Sequence, residues 1–133
     1  MNILGLGMDI VETKRIAESI ERFGDRFLQR VFLEDEVAYA HSMKFPHLHL
    51  AARFAAKEAG AKALGTGISR GVTWREIEVV REPGGRPALR FHGRAAEMAE
   101  RMNARRAALS ITHTRDMAMA SVVLEDANRQ GGL

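Results

Sequence analysis

Residues 53 to 67, RFAAKEAGAKALGTG, constrain the fold more than any other stretch of this 133-residue chain. Alanine is the best helix former, so the run predicts a long helix over roughly 48 to 64, and the glycines after it predict its stop. Small side chains also let other segments pack close against such a helix. Glu58 and Lys62 share one helical face, and Gly65 continues it one turn on. Arg53 and Lys57 share an adjacent face. A carboxylate suits a hard cation, and the ammonium and guanidinium groups beside it suit phosphate. The same spacing equally describes a solvated helix with an i,i+4 ion pair and a glycine C-cap.

Alternation and punctuation place the other elements. Residues 2 to 10 form a short apolar run that predicts a buried strand. Residues 12 to 31 have helical period and are split by Gly24-Asp25. Ile16, Ile20, Phe23, Phe27 and Val31 fall on one stripe, with Arg15, Arg22, Arg26 and Arg30 beside it. A short helix is expected over 33 to 42, and Pro46 precedes the long one. TWREIEVVR, residues 73 to 81, alternates as a strand that returns at 87 to 91 after the turn Pro83-Gly84-Gly85. A helix over 93 to 103 and strands over 107 to 113 and 117 to 125 complete the order. Hairpins imply antiparallel pairing, so the expected class is α+β, an antiparallel sheet with helices packed on one face. Residues 1 to 125 read as a single domain, and the polar segment 126 to 133 as a frayed tail.

Composition excludes several chemistries. The chain has no cysteine, which removes disulfide scaffolds, zinc–thiolate sites and cysteine nucleophiles. No apolar run approaches the ~20 residues that span a bilayer. The N-terminal run lacks a basic flank and is interrupted by Asp9, so it does not read as a signal peptide. The net charge of +3 is mild, and one Trp and one Tyr without basic interleaving argue against single-strand nucleic-acid stacking. The one-signed arginine stripe fits an acidic partner helix, though a solvated helix face has the same pattern.

Asp9 has two readings. It either caps the helix that follows or holds a metal with Glu58, provided the long helix crosses the end of the first strand. Gly65-Thr66-Gly67 lies after a helix, so it lacks the arrangement of a phosphate-cradling P-loop. Ser110, His113 and Asp116 lack the strand–elbow–helix signature of a hydrolase. His41, His47 and His49 show no metal-ligand spacing and receive no role.

Two motifs carry a family resemblance. GMDIVETKRI, residues 7 to 16, resembles G-x-D-[IL]-V-x-x-x-R-I, and RFAAKEAGAKALGTGI, residues 53 to 68, resembles R-F-A-x-K-E-A-x-x-K-A-x-G-T-G. Both are patterns of the holo-[acyl-carrier-protein] synthases, the small phosphopantetheinyl transferases of fatty-acid synthesis. SITHT at 110 to 114 and ASVVLE at 120 to 125 are also similar to segments of this family. The resemblance implies transfer of the 4′-phosphopantetheine arm of coenzyme A to a serine of apo acyl carrier protein, releasing 3′,5′-ADP. It implies magnesium held by Asp9 and Glu58, with Glu58 and Lys62 as the catalytic pair. Coenzyme A would be met by Arg53, Lys57, Lys62, Gly65, Thr66 and Gly67, and at its nucleotide end by Pro87 and His113. Arg15, Arg22, Arg26 and Arg30 would meet the acidic carrier protein. A cytoplasmic homotrimer with sites between subunits is implied, with no role for nucleic acid or membrane. Two departures stand out: Gly60 inside the motif helix, and FLEDE at 32 to 36, which lacks the Ser or Thr that often starts that helix in the family.

Overall fold

In a computed structural model, which describes residues 2–126, the first apolar run is a strand, β1 (Ile3–Glu12). It leads directly into α1 (Thr13–Phe23) and α2 (Asp25–Val31), hinged at Gly24 with φ +57°. Then come α3 (Glu34–His41), α4 (Pro46–Ala63), β2 (Ile77–Arg81), β3 (Pro87–Phe91), α5 (Gly93–Arg101), β4 (Arg106–His113) and β5 (Met117–Glu125). All but Asp126 of the expected polar tail lies outside the described residues.

The strands form two antiparallel sheets rather than the single one expected. One has the order β1-β5-β4, and the other is the β2-β3 hairpin. α4 lies across one face of the three-stranded sheet, packed on β1, β5 and β4. Its alanines make this possible: Ala51, Ala52, Ala55, Ala56, Ala59 and Ala63 are all buried. The strand side is equally stripped. A Cβ at Gly5 would fall on the carbonyl oxygen of Ala63, and one at Gly7 on that of Ala59. Helix and strand therefore touch backbone to backbone. On another side of α4, a Cβ at Gly60 would stand 3.1 Å from both Ile77 and Leu89, so this glycine seats the hairpin.

Alternation along β1 sends Gly5, Gly7, Asp9 and Val11 toward α4, and Leu6, Met8 and Ile10 away from it. Among those pointing away, Leu6 is 61% exposed, and Met8 and Ile10 are 54% exposed each. Along β1 the uncovered face of the sheet is thus apolar, while β4 carries Arg106, Ser110 and Thr112 on it.

Three expectations are corrected. Phe23, expected on the apolar stripe of the first helices, is 49% exposed at the end of α1, and the stripe resumes after Gly24 with Phe27 and Val31. Asp9 does not close its strand; β1 runs three residues further, and Glu12 occupies the N-cap of α1. TWREIEVVR is not one strand, since Trp74–Glu76 form a 3₁₀ turn. Polar side chains win there: Glu76 accepts from the Thr73 N–H at 3.0 Å, and Arg75 donates to the carbonyls of Gln29 and Phe32.

The missing Ser or Thr at the start of α3 is offset by Glu36. Its Oε1 accepts from the Leu33 N–H at 2.7 Å, the capping-box contact made from the N3 position. Its Oε2 accepts from the Val79 N–H at 2.7 Å, which ties α3 to the hairpin.

Candidate active site

The α4–β1 crossing determines which charged groups meet. With Ala59 and Ala63 seated on Gly7 and Gly5, the residues just beside them on α4, Glu58 and Lys62, reach the rim of β1 where Asp9 lies. Lys62 Nζ donates to Asp9 Oδ1 at 2.9 Å and to the Met8 carbonyl at 3.0 Å. Glu58, one turn earlier, is half-buried, and its Oε1 accepts from Trp74 Nε1 at 3.4 Å. Burial pushes the Glu58 carboxyl above the usual carboxylate range. The Trp74 hydrogen bond opposes that rise, the Asp9 charge adds to it, and Lys62 and Arg15 oppose it. Two carboxylates, an ammonium and a guanidinium therefore share one electrostatic neighbourhood. The crossing that the metal reading of Asp9 required is present.

The glycine loop serves as the helix stop. Gly65 has φ +82°, its N–H bonds the Lys62 carbonyl, and the Thr66 N–H bonds the Ala61 carbonyl, the Schellman pairing. Gly67, with φ +62°, also donates to Ala61. A Cβ on Gly65 or Gly67 would meet nothing within 4 Å, so this side of the loop is open. Thr66 is buried, with its hydroxyl donating to the Gly67 carbonyl.

The sequence model of the 4′-phosphopantetheinyl transferase superfamily matches residues 5–119. The chain belongs to this superfamily. It is similar to a holo-[acyl-carrier-protein] synthase of Koribacter versatilis (strain Ellin345), 57% identical over 124 residues that cover 93% of this chain and 99% of the relative. Its fold is similar to the crystal structure of holo-[acyl-carrier-protein] synthase from Neisseria meningitidis, with a TM-score of 0.84 and 37% identity over 94% of this chain and 100% of that one. It also matches a Bacillus anthracis holo-(acyl-carrier-protein) synthase in complex with CoA (3′,5′-ADP), with a TM-score of 0.77 and 36% identity over 94% of this chain and 98% of that one.

In this transferase the expected coenzyme residues do not all converge. Lys57 is corrected outright. Its side chain has no exposure, and its ammonium is bonded to Glu36 Oε1 at 2.8 Å, the Trp74 carbonyl at 3.1 Å and the Ile77 carbonyl at 2.8 Å. Three donors meet three acceptors, so no N–H remains for a phosphate. Arg53 is also buried. Its guanidinium lies 4.4 Å from the Tyr39 ring centroid and donates to the His49 carbonyl, while its Nε has no partner. Arg81 stacks on the same tyrosine at 4.8 Å, and the His49 ring lies 5.4 Å from that of His113. Burial, His113, Arg53 and Arg81, in that order, hold His49 below its usual range.

Pro87 and His113 sit on separate grooves. Pro87 lines one of about 690 Å³ between β3 and β4, with Arg86, Arg105 and Arg106 on its walls. His113 lines another of about 740 Å³ with Phe45 and His47. Asp9 and Lys62 line a third, smaller hollow with Met8, Ile10 and Met119. Within this chain, the expected coenzyme contacts are spread over different surfaces.

The four arginines are all exposed, but the hinge at Gly24 divides them between two helices. Arg15 and Arg30 are brought together on the rim of an apolar hollow formed by Ile16, Phe27, Val31, Phe54 and Trp74. Arg22 lies over the ring of its neighbour Phe23 at 5.2 Å.

Asp9 and Glu58 fit magnesium better than a transition metal. They offer two hard oxygen donors, and no group of three or more His, Asp or Glu that could hold a metal occurs among the described residues. Magnesium is commonly held by one or two carboxylates and completes its shell with water and substrate phosphates.

Sequence reasoning passed over Glu36, Trp74, His49 and Arg81. Glu36 carried a usable signal, an acidic residue at N3 of a helix lacking Ser or Thr at its N-cap. The other three owe their roles to tertiary contacts without a local pattern.

Proposed function

We propose that this chain transfers the 4′-phosphopantetheine group of coenzyme A to a serine hydroxyl of an apo acyl carrier protein and releases 3′,5′-ADP. The observation that carries this reading is the meeting of Asp9, Glu58 and Lys62 at the α4–β1 crossing, on the two motifs that characterise the family. In the reaction a bond forms between the serine oxygen and the phosphorus that carries pantetheine. The bond from that phosphorus to the bridging oxygen breaks, and the electron pair leaves on the ADP phosphate.

Such a transfer depends on positioning and on stabilising charge. Lys62 is bonded to two acceptors and its side chain is 52% exposed, leaving one N–H for a phosphate oxygen. Asp9 and Glu58 would hold magnesium, which when bound neutralises phosphate charge. The serine proton passes to a carboxylate at the site or to water. The open side of Gly65 and Gly67 gives the coenzyme close approach to the backbone. Arg15, Arg22, Arg26 and Arg30 present a one-signed surface to an acidic carrier.

The active form on this reading is a homotrimer. The uncovered apolar sheet face, with Ile3, Leu6, Met8, Ile10 and Met119 exposed, supports burial between subunits. The dispersal of Pro87, His113 and Asp9 over separate hollows supports a site completed by a neighbouring copy. The reaction belongs to fatty-acid synthesis in the cytoplasm; no helix among the described residues is long and apolar enough to cross a membrane.

Mass spectrometry tests the reading. Apo carrier protein incubated with this chain, coenzyme A and magnesium gains the phosphopantetheine mass, and the gain disappears with chelator or with Glu58→Gln. No gain with the wild-type protein refutes the transfer, and a gain insensitive to chelator refutes the metal.

A further inference from the structure

Trp74 is the chain's only tryptophan. The 3₁₀ turn that interrupts the expected strand swings it back toward α4, where four contacts hold it. Its backbone carbonyl accepts from the buried Lys57 ammonium at 3.1 Å. Its ring stacks on Phe54, with centroids 6.1 Å apart and planes at 29°. The Arg30 guanidinium lies 5.8 Å from the ring centroid. Its Nε1–H donates to Glu58 Oε1 at 3.4 Å.

We propose that Trp74 is a positioning residue whose indole N–H orients the Glu58 carboxylate and whose ring joins that carboxylate to the carrier-docking arginines. This rests on the reading of Glu58 as a metal ligand. A glutamate on a helix loses several rotamers when it must hold one geometry. Among the described residues, the indole is the only hydrogen-bond donor to Glu58, and Oε2 is left without a partner. Indole nitrogen is a donor and never an acceptor, so it can serve only a carboxylate oxygen and cannot compete for the cation. Hydrogen bonds to a ligating carboxylate fix its orientation and tune what it binds. The other face of the argument is Arg30. A carrier that engages this guanidinium acts on a ring already bonded to Glu58, so docking and the reacting centre share one rigid group.

Trp74→Phe keeps an aromatic ring beside Phe54 and Arg30, and removes the indole N–H together with part of the ring surface. Because the bond is long, we expect kcat to fall about threefold to tenfold, the effect of one modest hydrogen bond. The magnesium concentration for half-activation rises, and KM for apo carrier protein changes less than about twofold. The single tryptophan provides a second readout that does not depend on turnover. Titrating the wild-type protein with magnesium chloride and 3′,5′-ADP shifts the tryptophan emission, and Glu58→Gln loses the magnesium-dependent part of that shift. A folded Trp74→Phe variant with unchanged kcat and magnesium dependence overturns the proposal. So does a variant with raised carrier KM alone, or wild-type emission that does not respond to magnesium. A wild-type protein unable to transfer refutes the transfer reading instead, and the emission titration still decides the link between Trp74 and Glu58.

Discussion

Replacing Lys57 by Met distinguishes a phosphate ligand from a structural cation. The buried Glu36 carboxylate accepts from Lys57 at 2.8 Å and from the N–H groups of Leu33 and Val79, each at 2.7 Å. Methionine replaces the apolar stem of lysine and lacks only its terminal atom, so cavity formation contributes little. What is lost is the charge that compensates Glu36, together with the donor for the carbonyls of Trp74 and Ile77. Removing one partner of a buried pair costs about 3–5 kcal/mol. With an unfolding entropy of about 2.1 cal/mol/K per residue over 133 residues, that loss lowers Tm by about 11–18 °C. Thermal melts and urea titrations measure it directly. Glu36→Gln in the Lys57→Met background costs less than in the wild type, because there it removes an uncompensated carboxylate, whereas in the wild type it leaves the buried Lys57 ammonium unpaired. At temperatures where Lys57→Met is folded, its KM for coenzyme A stays near the wild-type value. A variant with wild-type stability and a tenfold higher KM for coenzyme A would refute the structural assignment.

Gly7→Ala places a methyl group on the Ala59 carbonyl, where only backbone could give way, and costs on the order of 3 kcal/mol, read as a lower urea midpoint or loss of soluble protein. Glu58 links stability to pH in the metal-free protein. Its folded carboxyl is held above the unfolded value by burial, so on raising pH the unfolded chain releases this proton first and stability falls through that interval. Urea midpoints in chelator between about pH 4 and 7 should therefore favour Glu58→Gln over the wild type at the upper end and converge at the lower; a Glu58→Gln variant that is less stable at neutral pH would contradict the sign. Met8→Glu puts a charge on the uncovered apolar sheet face and should give monomers by sedimentation, with transfer activity lost alongside.

How much of this was legible depends on how local each cause is. The long helix and its stop were legible because alanine propensity and glycine conformation act within a few residues, and α4 stops at Ala63 just before the glycines, in a Schellman pairing. The hairpins were legible because alternation and turn chemistry are local too. Lys57 shows where this kind of reading stops. On the helix it lies one residue from Glu58, and the motif alone gives no reason to treat the two differently. Only the hairpin, arriving from residues 74 to 79, and Glu36, arriving from α3, surround Lys57 with acceptors while Glu58 is left at the rim. Trp74 was misplaced for a related reason. The apolar alternation of TWREIEVVR is real, but Glu76 and Arg75 spend their hydrogen bonds on a turn, which no hydrophobic period reports. That turn brings an indole donor to Glu58. The deviation from the expected strand and the environment of the Glu58 carboxylate therefore share one cause, the polar side chains of residues 75 and 76 outcompeting strand pairing.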